Sequence, residues 1–177
     1  MTFDALTFEG ALAWLGVGVV ATNALRAAAS RPHGLLLFCG PAGMGKTTLA
    51  HHVVAAQLQR RVHWLGDLRM PDQIERALTI AAEVPVVAVA RSGESRALRD
   101  RWADMALSPS LIEAAQVVTA TLRKLPRTPA SDVDALVVEV LAADGTSLTG
   151  SLAQEADILV DAGVTSVEHA RSFVPGY

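Results

Sequence analysis

The chain has 177 residues, of which 51% are hydrophobic and 19% charged, and its formal net charge is −3. This length suffices to bury the core of one domain, so we expect a single unit over residues 1–177. The mildly acidic charge lacks the basic surface that nucleic-acid binding needs, which excludes that class of partner. A single cysteine, Cys39, excludes a disulfide framework and indicates a reducing compartment, the cytoplasm.

The N-terminal part, residues 1–33, is apolar. Residues 1–17 are predicted to be irregular because glycines at positions 10, 16 and 18 interrupt them, and Val19–Ala29 predicts a lead-in helix. The uncharged run over 10–25 is shorter than a membrane span and contains Asn23. We expect no transmembrane segment, so any membrane association would be peripheral and through a partner.

A phosphate-binding pattern, GxxxxGK[ST], is present in the segment GPAGMGKTT at positions 40–48. An apolar strand, Leu35–Cys39, precedes it and a helix over Thr48–Leu58 follows. Glycines let successive N–H groups face an anion, Lys46 would reach the β- and γ-phosphates, and the Thr47 hydroxyl would ligate Mg²⁺. We predict ATP and Mg²⁺ as ligands of Gly40, Pro41, Ala42, Gly43, Met44, Gly45, Lys46, Thr47 and Thr48. The alternative is a glycine turn before a helix, without a ligand.

The middle of the chain alternates between strand and helix patterns. Val62–Leu65 predicts a second strand, and Pro71 begins a helix whose apolar positions keep the spacing of one helical face. Val84–Ala90 predicts a third, fully buried strand. After it, Ser92–Glu94 would open another helix. This alternation predicts a mostly parallel sheet.

The last third predicts two more strands, Val117–Leu125 and Ala135–Ala142, which follow a short helix that begins at Ser108. The core therefore spans 34–142, with a small helical tail at 143–177. The helices of the tail begin at apparent capping boxes, which pair Ser151 with Gln154 and Thr165 with Glu168. We expect the α/β fold class of a P-loop NTPase, with a three-layer core, a mostly parallel sheet of four or five strands and a small helical C-terminal segment.

Asp67 follows the second predicted strand, where a Walker B carboxylate would hold Mg²⁺ or its water. We take Asp67 and Lys46 as candidate catalytic residues, and Thr47 and Asp67 as candidate Mg²⁺ ligands. A helix-capping or surface aspartate is the alternative for Asp67. None of His51, His52 and His63 has a metal-site spacing with another ligand, so we expect structural roles for these residues.

The motifs and their order resemble the C-terminal ATPase core of the type II secretion and type IV pilus motor ATPases. The resemblance rests on Arg31–Leu37 leading into the phosphate loop, on Gly66–Arg69 leading into a helix, and on Ser110–Gln116. It implies a P-loop NTPase fold of the RecA-like kind, in which Lys46 and Thr47 serve ATP and Mg²⁺. It also puts Asp67 in the place of the family's Walker B glutamate, with Arg69 matching the arginine two positions later.

Several family features are missing here. Members of the family carry a long segment with an extra strand and an acidic glutamate box. That segment is absent here between the helix that follows the phosphate loop and residues 61–64. Ala90–Glu94 replaces the histidine box, Met70 replaces an aspartate, and we expect no separate N-terminal domain. Rapid turnover needs a residue that positions water and an arginine near the γ-phosphate. We therefore predict ATP binding with slow or partner-dependent hydrolysis.

Two other functions stay open. One is a non-catalytic, nucleotide-binding regulatory or assembly subunit of such a system. The other is a small P-loop kinase, for which Arg91–Arg101 is the only candidate lid and has the pattern of an ordinary amphipathic helix. Arg69 is either a phosphate or subunit contact or a solvated, ion-paired side chain. The arginines of the helix, Arg96, Arg99 and Arg101, form a solvated face or contact a neighbouring subunit.

Association is expected from the apolar N-terminal residues Trp14, Leu15, Val17 and Val19, which would be unusual on the free surface of a monomer. The resemblance implies a ring in which the ATP site lies between subunits. We predict a homo-oligomer, or a complex with a partner from secretion or pilus machinery, with residues 1–20 at or near a contact.

Overall fold

The computed structural model describes residues 8–56, 61–91, 95–128 and 134–177. The strands of this part of the chain are β1 (Gly34–Cys39), β2 (His63–Leu68), β3 (Pro85–Ala90), β4 (Val118–Leu125) and β5 (Ala135–Leu141). The helices are α1 (Phe8–Trp14), α2 (Val19–Ala29), α3 (Lys46–Ala55), α4 (Pro71–Ala81), α5 (Ser95–Asp104), α6 (Pro109–Ala114), α7 (Leu152–Asp161) and α8 (Val167–Phe173).

The five strands form one sheet in the order β2-β3-β1-β4-β5. The pairs β2–β3, β3–β1 and β1–β4 are parallel because a helical crossover joins each strand to the next along the chain. β5 pairs antiparallel with β4, from which only a short connection separates it. The predicted α/β class with a mostly parallel sheet is confirmed.

Helices cover both faces of the sheet. Leu36 and Phe38 of β1 face a core that α1, α2 and α3 complete, whereas Leu35 and Leu37 face α4 and α5. Alternate residues of each central strand are thus buried on opposite faces, which explains why β1 and β3 are apolar throughout. A third cluster packs α7 and α8 against the far ends of β4 and β5.

The N-terminal segment is a helix where an irregular stretch was predicted. α1 contains Gly10, and Phe8 and Leu12 lie on its buried face against α2 and α3. An interior glycine costs a helix about 1 kcal/mol, but burying a large apolar side chain contributes about 1.5–3 kcal/mol, so packing outweighs propensity. An ion pair between Glu9 and Arg26 also joins α1 to α2.

In the helical tail, the predicted cap Ser151 is confirmed and the predicted cap Thr165 is wrong. Ser151 begins α7 by accepting from the N–H of Gln154. The second cap is Ser166, which accepts from His169, and not Thr165. Thr165 is buried instead, where its hydroxyl donates to the Pro126 carbonyl at 2.6 Å. Within the described ranges, each helix is too short or too polar to cross a bilayer.

Candidate functional site

The loop between β1 and α3 is built on glycines with positive φ. Gly40, Gly43 and Gly45 have φ values of 134°, 81° and 79°, which residues with a Cβ rarely adopt. Gly40 has a second constraint: a Cβ there would lie 2.7 Å from the Leu122 carbonyl oxygen of β4. The backbone therefore passes directly against the neighbouring strand, which fixes where the loop begins.

Lys46 is the first residue of α3, and its side chain turns back into the loop. Its Nζ donates to the Pro41 carbonyl oxygen at 2.6 Å, and only 6% of the residue is exposed. Burial lowers the pKa of Lys46, and the negative charge of Asp67 opposes this shift. A desolvated ammonium group thus stands among backbone groups at the positive end of a helix.

The remaining loop residues are accessible from outside. Pro41, Ala42 and Gly43 form the exposed crest, and Thr47 and Thr48 present exposed side chains in the first turn of α3. The N–H groups of this turn have no intrahelical acceptors. Backbone donors, one ammonium group and a threonine hydroxyl therefore belong to one short segment, and this donor set fits a nucleotide phosphate with Mg²⁺.

β2 is longer than predicted and irregular. It continues beyond Leu65 through Gly66, whose φ is 72°, and its register with β3 shifts between Trp64 and Asp67. As a result, Asp67 lies opposite Val89, a residue that packs on the α3 side of the sheet. The register shift thus places Asp67 on the α3 side of the sheet, and its negative charge acts to raise the pKa of Lys46.

Two arginines hold the Asp67 carboxylate. Its Oδ2 atom accepts from Arg69 Nε at 2.9 Å and lies 2.8 Å from Arg69 Nη2 and 3.2 Å from Arg91 Nε. The other oxygen, Oδ1, is buried without a hydrogen-bond partner among the described residues. Gln73, not Asp67, caps α4, since its Oε1 accepts from the N–H groups of Arg69 and Met70. Asp67 is thus a half-buried residue that is ion-paired with both Arg69 and Arg91.

Sequence reasoning missed two basic residues of β4. The last residue of β1, Cys39, pairs with Thr121, so the remainder of β4 flanks the loop. The Arg123 guanidinium would lie 3.5 Å from a Cβ at Gly40. The N–H of Lys124 donates to Met44 Sδ at 3.3 Å, and its side chain borders Gly45. The signal that could have placed Arg123 and Lys124 is the length of their predicted strand. If that longer strand is paired in parallel with β1, its last residues lie beside the loop that follows β1.

The histidines make local contacts. The His51 ring lies 4.7 Å from the Trp64 ring, which ties α3 to β2, and His52 Nδ1 is 2.8 Å from the Thr48 carbonyl oxygen. His63, at the start of β2, is exposed. Among the described residues there is no group of three or more histidine, cysteine or acidic side chains that could hold a metal ion. The two contacts on α3 are consistent with structural roles.

No known protein-family model matches the chain, and no curated protein matches it in sequence. Solved structures do. The ATPase DotB of Legionella pneumophila superposes with a TM-score of 0.72 at 11% identity, over 91% of this chain and 64% of that one. DotB of Yersinia pseudotuberculosis gives 0.70 at 14% identity, over 91% and 61% of the two chains.

The pilus retraction motor PilT, solved with bound ADP, gives a TM-score of 0.69 at 15% identity, over 94% of this chain and 66% of that one. The chain therefore spans somewhat less than two thirds of each of these three proteins. At such low identity the similarity shows the fold alone, a mixed α/β fold that this chain shares with these P-loop ATPases of the RecA-like kind. The family resemblance expected from the motifs is confirmed at this level.

Proposed function

We propose that this chain binds ATP·Mg²⁺ at residues 40–48 and acts, in the cytoplasm, as a nucleotide-binding domain like those of secretion and pilus motor ATPases. The observation that carries the proposal is the position of Lys46. Its buried ammonium group lies at the start of α3 inside a loop of positive-φ glycines. The similarity to DotB and to ADP-bound PilT supports it.

Each residue has a defined task in this proposal. The N–H groups of the loop and of the first turn of α3 would bind phosphate oxygens. Lys46 would exchange its hydrogen bond to the Pro41 carbonyl for one to the β- and γ-phosphates. Thr47 would ligate Mg²⁺, and Asp67 would hold the ion or its water through the unpartnered Oδ1. The bound Mg²⁺ would neutralise charge on the phosphates.

Hydrolysis by the isolated chain is expected to be slow. Arg69 and Arg91 both engage the Asp67 carboxylate, and a carboxylate held by two arginines is less available to Mg²⁺ and its water. An arginine directed at the γ-phosphate contributes about 10³–10⁵ in rate when present. A turnover above about 1 s⁻¹ for the purified chain, the range of working kinases, would contradict this expectation.

The direct test is Lys46→Ala, measured by calorimetric titration with ATP and Mg²⁺. Two charge-assisted hydrogen bonds are worth about 1.5–3 kcal/mol each, so the affinity should fall about 100-fold or more. Arg76→Ala on the exposed face of α4 is the matched control and should bind as the parent does. Equal affinity of Lys46→Ala and parent, with both folded, would show that the loop is not the nucleotide site.

A non-catalytic regulatory or assembly subunit is the second candidate, and the engagement of Asp67 by two arginines favours it. A partner that raises ATP turnover would favour the motor, whereas ATP retained unhydrolysed in the complex would favour the regulatory subunit. A kinase has less support. Its candidate lid includes α5, which is anchored by the buried Leu98 and Trp102, and residues 92–94 lie outside the described ranges.

We also propose that the protein associates, as a homo-oligomer such as a ring or with a secretion or pilus partner. Val17 was expected at a contact but is buried in its own chain, and the side chain of Trp14 is not among those described. Among the described residues of this N-terminal part, Val19 and Val20 at the start of α2 are exposed apolar residues, at 77% and 58%. We therefore centre the contact on them.

Sedimentation at micromolar concentration with ATP and Mg²⁺ tests this association, alone and with a candidate partner. The parent should sediment as an assembly, and Val20→Asp should shift it towards the monomer because the substitution buries a charge in the contact. Glu83→Asp, an exposed change beyond the end of α4, serves as the control. A parent that stays monomeric and binds no partner would contradict the proposal.

A further inference from the structure

A cavity lies on the face of the sheet opposite to α3. It measures about 100 Å³ and is enclosed by α4, α5 and the carboxyl ends of β2 and β3. Its walls are apolar: Leu68, Ile74, Leu98 and Trp102 are all at least nine-tenths buried. These residues belong to the core between α4, α5 and the sheet, whereas α3 packs on the opposite core. The cavity is therefore distinct from the phosphate loop.

Three arginines, Arg69, Arg91 and Arg101, are among the residues that line this cavity. Arg69 and Arg91 share one oxygen of Asp67. Within the described ranges, no carboxylate pairs with Arg101. In the described part of the chain, Asp67 is thus the one carboxylate that pairs with any of these three positive charges at the apolar cavity. Mutual repulsion of the arginines would be relieved by a further anion bound among them.

We propose that this cavity binds a small organic anion, a carboxylate or phosphate monoester that carries a compact apolar group. The apolar group would lie against Leu98 and Trp102, and the anionic oxygens would meet the guanidinium groups of the lining arginines. Arginine suits both head groups because its planar fork can donate two parallel hydrogen bonds. The volume limits the enclosed part to a group no larger than about a benzene ring.

Asp67 connects this cavity to the phosphate loop. The arginines that would receive the ligand are those that now bind Asp67 Oδ2, and the Asp67 charge acts on Lys46. An anion in the cavity would compete for Arg69 and Arg91 and release the carboxylate towards Mg²⁺. The ligand and Mg²⁺·ATP should then each favour binding of the other. This coupling rests on the proposed function, whereas the binding of the anion does not.

The binding test uses the full chain without nucleotide, labelled with ¹⁵N, and benzoate as the probe. The three tryptophan indole signals are followed by NMR, and that of Trp102 is identified by elimination with Trp14→Phe and Trp64→Phe. Benzoate should shift the Trp102 signal to saturation, and the uncharged analogue benzamide should not. Phenyl phosphate distinguishes the two head groups: tighter binding than benzoate assigns a phosphate monoester, and weaker binding assigns a carboxylate.

Arg101→Gln removes one of the three positive charges without touching Asp67 and should weaken benzoate binding about tenfold, the value of one charge-assisted hydrogen bond. Arg76→Gln, on the exposed face of α4 away from the cavity, is the matched control and should leave the affinity unchanged. The absence of a saturable Trp102 shift with either anion would overturn the proposal. An Arg101→Gln affinity equal to that of Arg76→Gln would overturn it as well.

The coupling has its own measurement, a titration of Mg²⁺ into the chain with ATP in the presence and absence of saturating benzoate. Benzoate should raise the apparent Mg²⁺ affinity about threefold, the size of a modest coupling between sites. An unchanged affinity would refute the coupling but not the anion site. Benzoate binding without any ATP binding would show that the proposed function, and not the cavity, is wrong.

Discussion

The phosphate loop and the corner around Asp67 lie at the same end of the sheet but are built in different ways. In the loop, nearly every feature comes from nine consecutive residues: three positive-φ glycines, a lysine and two threonines. At the corner, a strand bulge places Asp67, and two arginines from different segments hold its carboxylate. The loop carries its binding groups within one segment, whereas the corner brings them together from several.

This difference separates binding from turnover. Binding phosphate needs backbone donors and the Lys46 ammonium group, which the loop supplies. Turnover needs a carboxylate whose charge is available, and at the corner that charge is shared with Arg69 and Arg91. We therefore expect the chain to bind ATP without hydrolysing it rapidly. A ligand or partner that moves the arginines would act through Asp67, on Mg²⁺ binding and on turnover, and not on the phosphate loop itself.

The largest effect should come from Gly40→Ala in the loop. The new Cβ would combine a left-handed φ of 134° with a 2.7 Å contact to the Leu122 carbonyl. We expect the free energy of unfolding to fall by about 3 kcal/mol and ATP binding to be lost, because loop and β4 must separate. Urea unfolding measures the loss of stability, and ATP titration measures the loss of binding.

Gly43→Ala provides the comparison for Gly40→Ala. Its φ of 81° is also left-handed, but a Cβ there meets nothing within 4 Å. Only the conformational cost of about 1–2 kcal/mol should remain, with a smaller loss of affinity. Equal losses of stability in the two variants would mean that contact with β4 does not determine the path of the loop.

At the corner, Asp67→Asn should act on Mg²⁺ rather than on ATP itself. An amide keeps the shape but removes the charge that favours a divalent cation, so ATP affinity with Mg²⁺ should drop about tenfold. Affinity measured with EDTA in place of Mg²⁺ should stay close to that of the parent. A loss of the same size under both conditions would assign Asp67 to the integrity of the site and not to the metal ion.

Arg91→Gln tests the restraint on Asp67 and should have the opposite sign. Removing one of two cations from the carboxylate leaves more negative charge for Mg²⁺, so Mg²⁺ affinity should rise about threefold. Arg76→Gln again serves as the matched arginine control. If Arg91→Gln lowered the Mg²⁺ affinity, the arginine would support the metal site and would not restrain it.

The smallest effect concerns alkaline pH. Burial lowers the pKa of Lys46 below its ordinary value of 10.5. Between the folded pKa and 10.5 the unfolded chain binds more protons than the folded chain, so this lysine makes the free energy of unfolding rise with pH. Lys46→Met lacks that contribution. The stability of the parent relative to Lys46→Met should therefore rise as urea unfolding is repeated from about pH 8 to pH 10.5.

If the difference between parent and Lys46→Met stayed constant or fell over this range, desolvation would not dominate at Lys46. The neighbouring charges would then decide its pKa, and Asp67 would have the larger influence.

The elements that could be predicted from the sequence are those whose signal is local. The helix Val19–Ala29 has the predicted bounds, and α4 buries Ile74, Ala77, Leu78 and Ala81 as its spacing indicated. The phosphate loop lies between a strand and a helix, as its pattern required. In each case neighbouring residues determine the backbone.

The elements that could not be predicted depend on contacts between distant residues. α1 forms because Phe8 and Leu12 find a core made by α2 and α3, which no local pattern encodes. The bulge at Gly66 is a shift in the register between β2 and β3, so it depends on the pairing of these two strands. The ion pair between Arg91 and Asp67 depends on the same pairing. Similarly, Lys124 borders the loop only because β4 pairs with β1 and extends past it.

The bulge in β2 also affects how the molecule behaves in crowded solution. β2 is at one margin of the described sheet, where a regular strand would offer a row of unpaired N–H and C=O groups to another chain. A left-handed glycine and a register shift in the middle of six residues break that row and twist the margin. The irregularity that positions a carboxylate therefore also protects the protein against strand-to-strand aggregation.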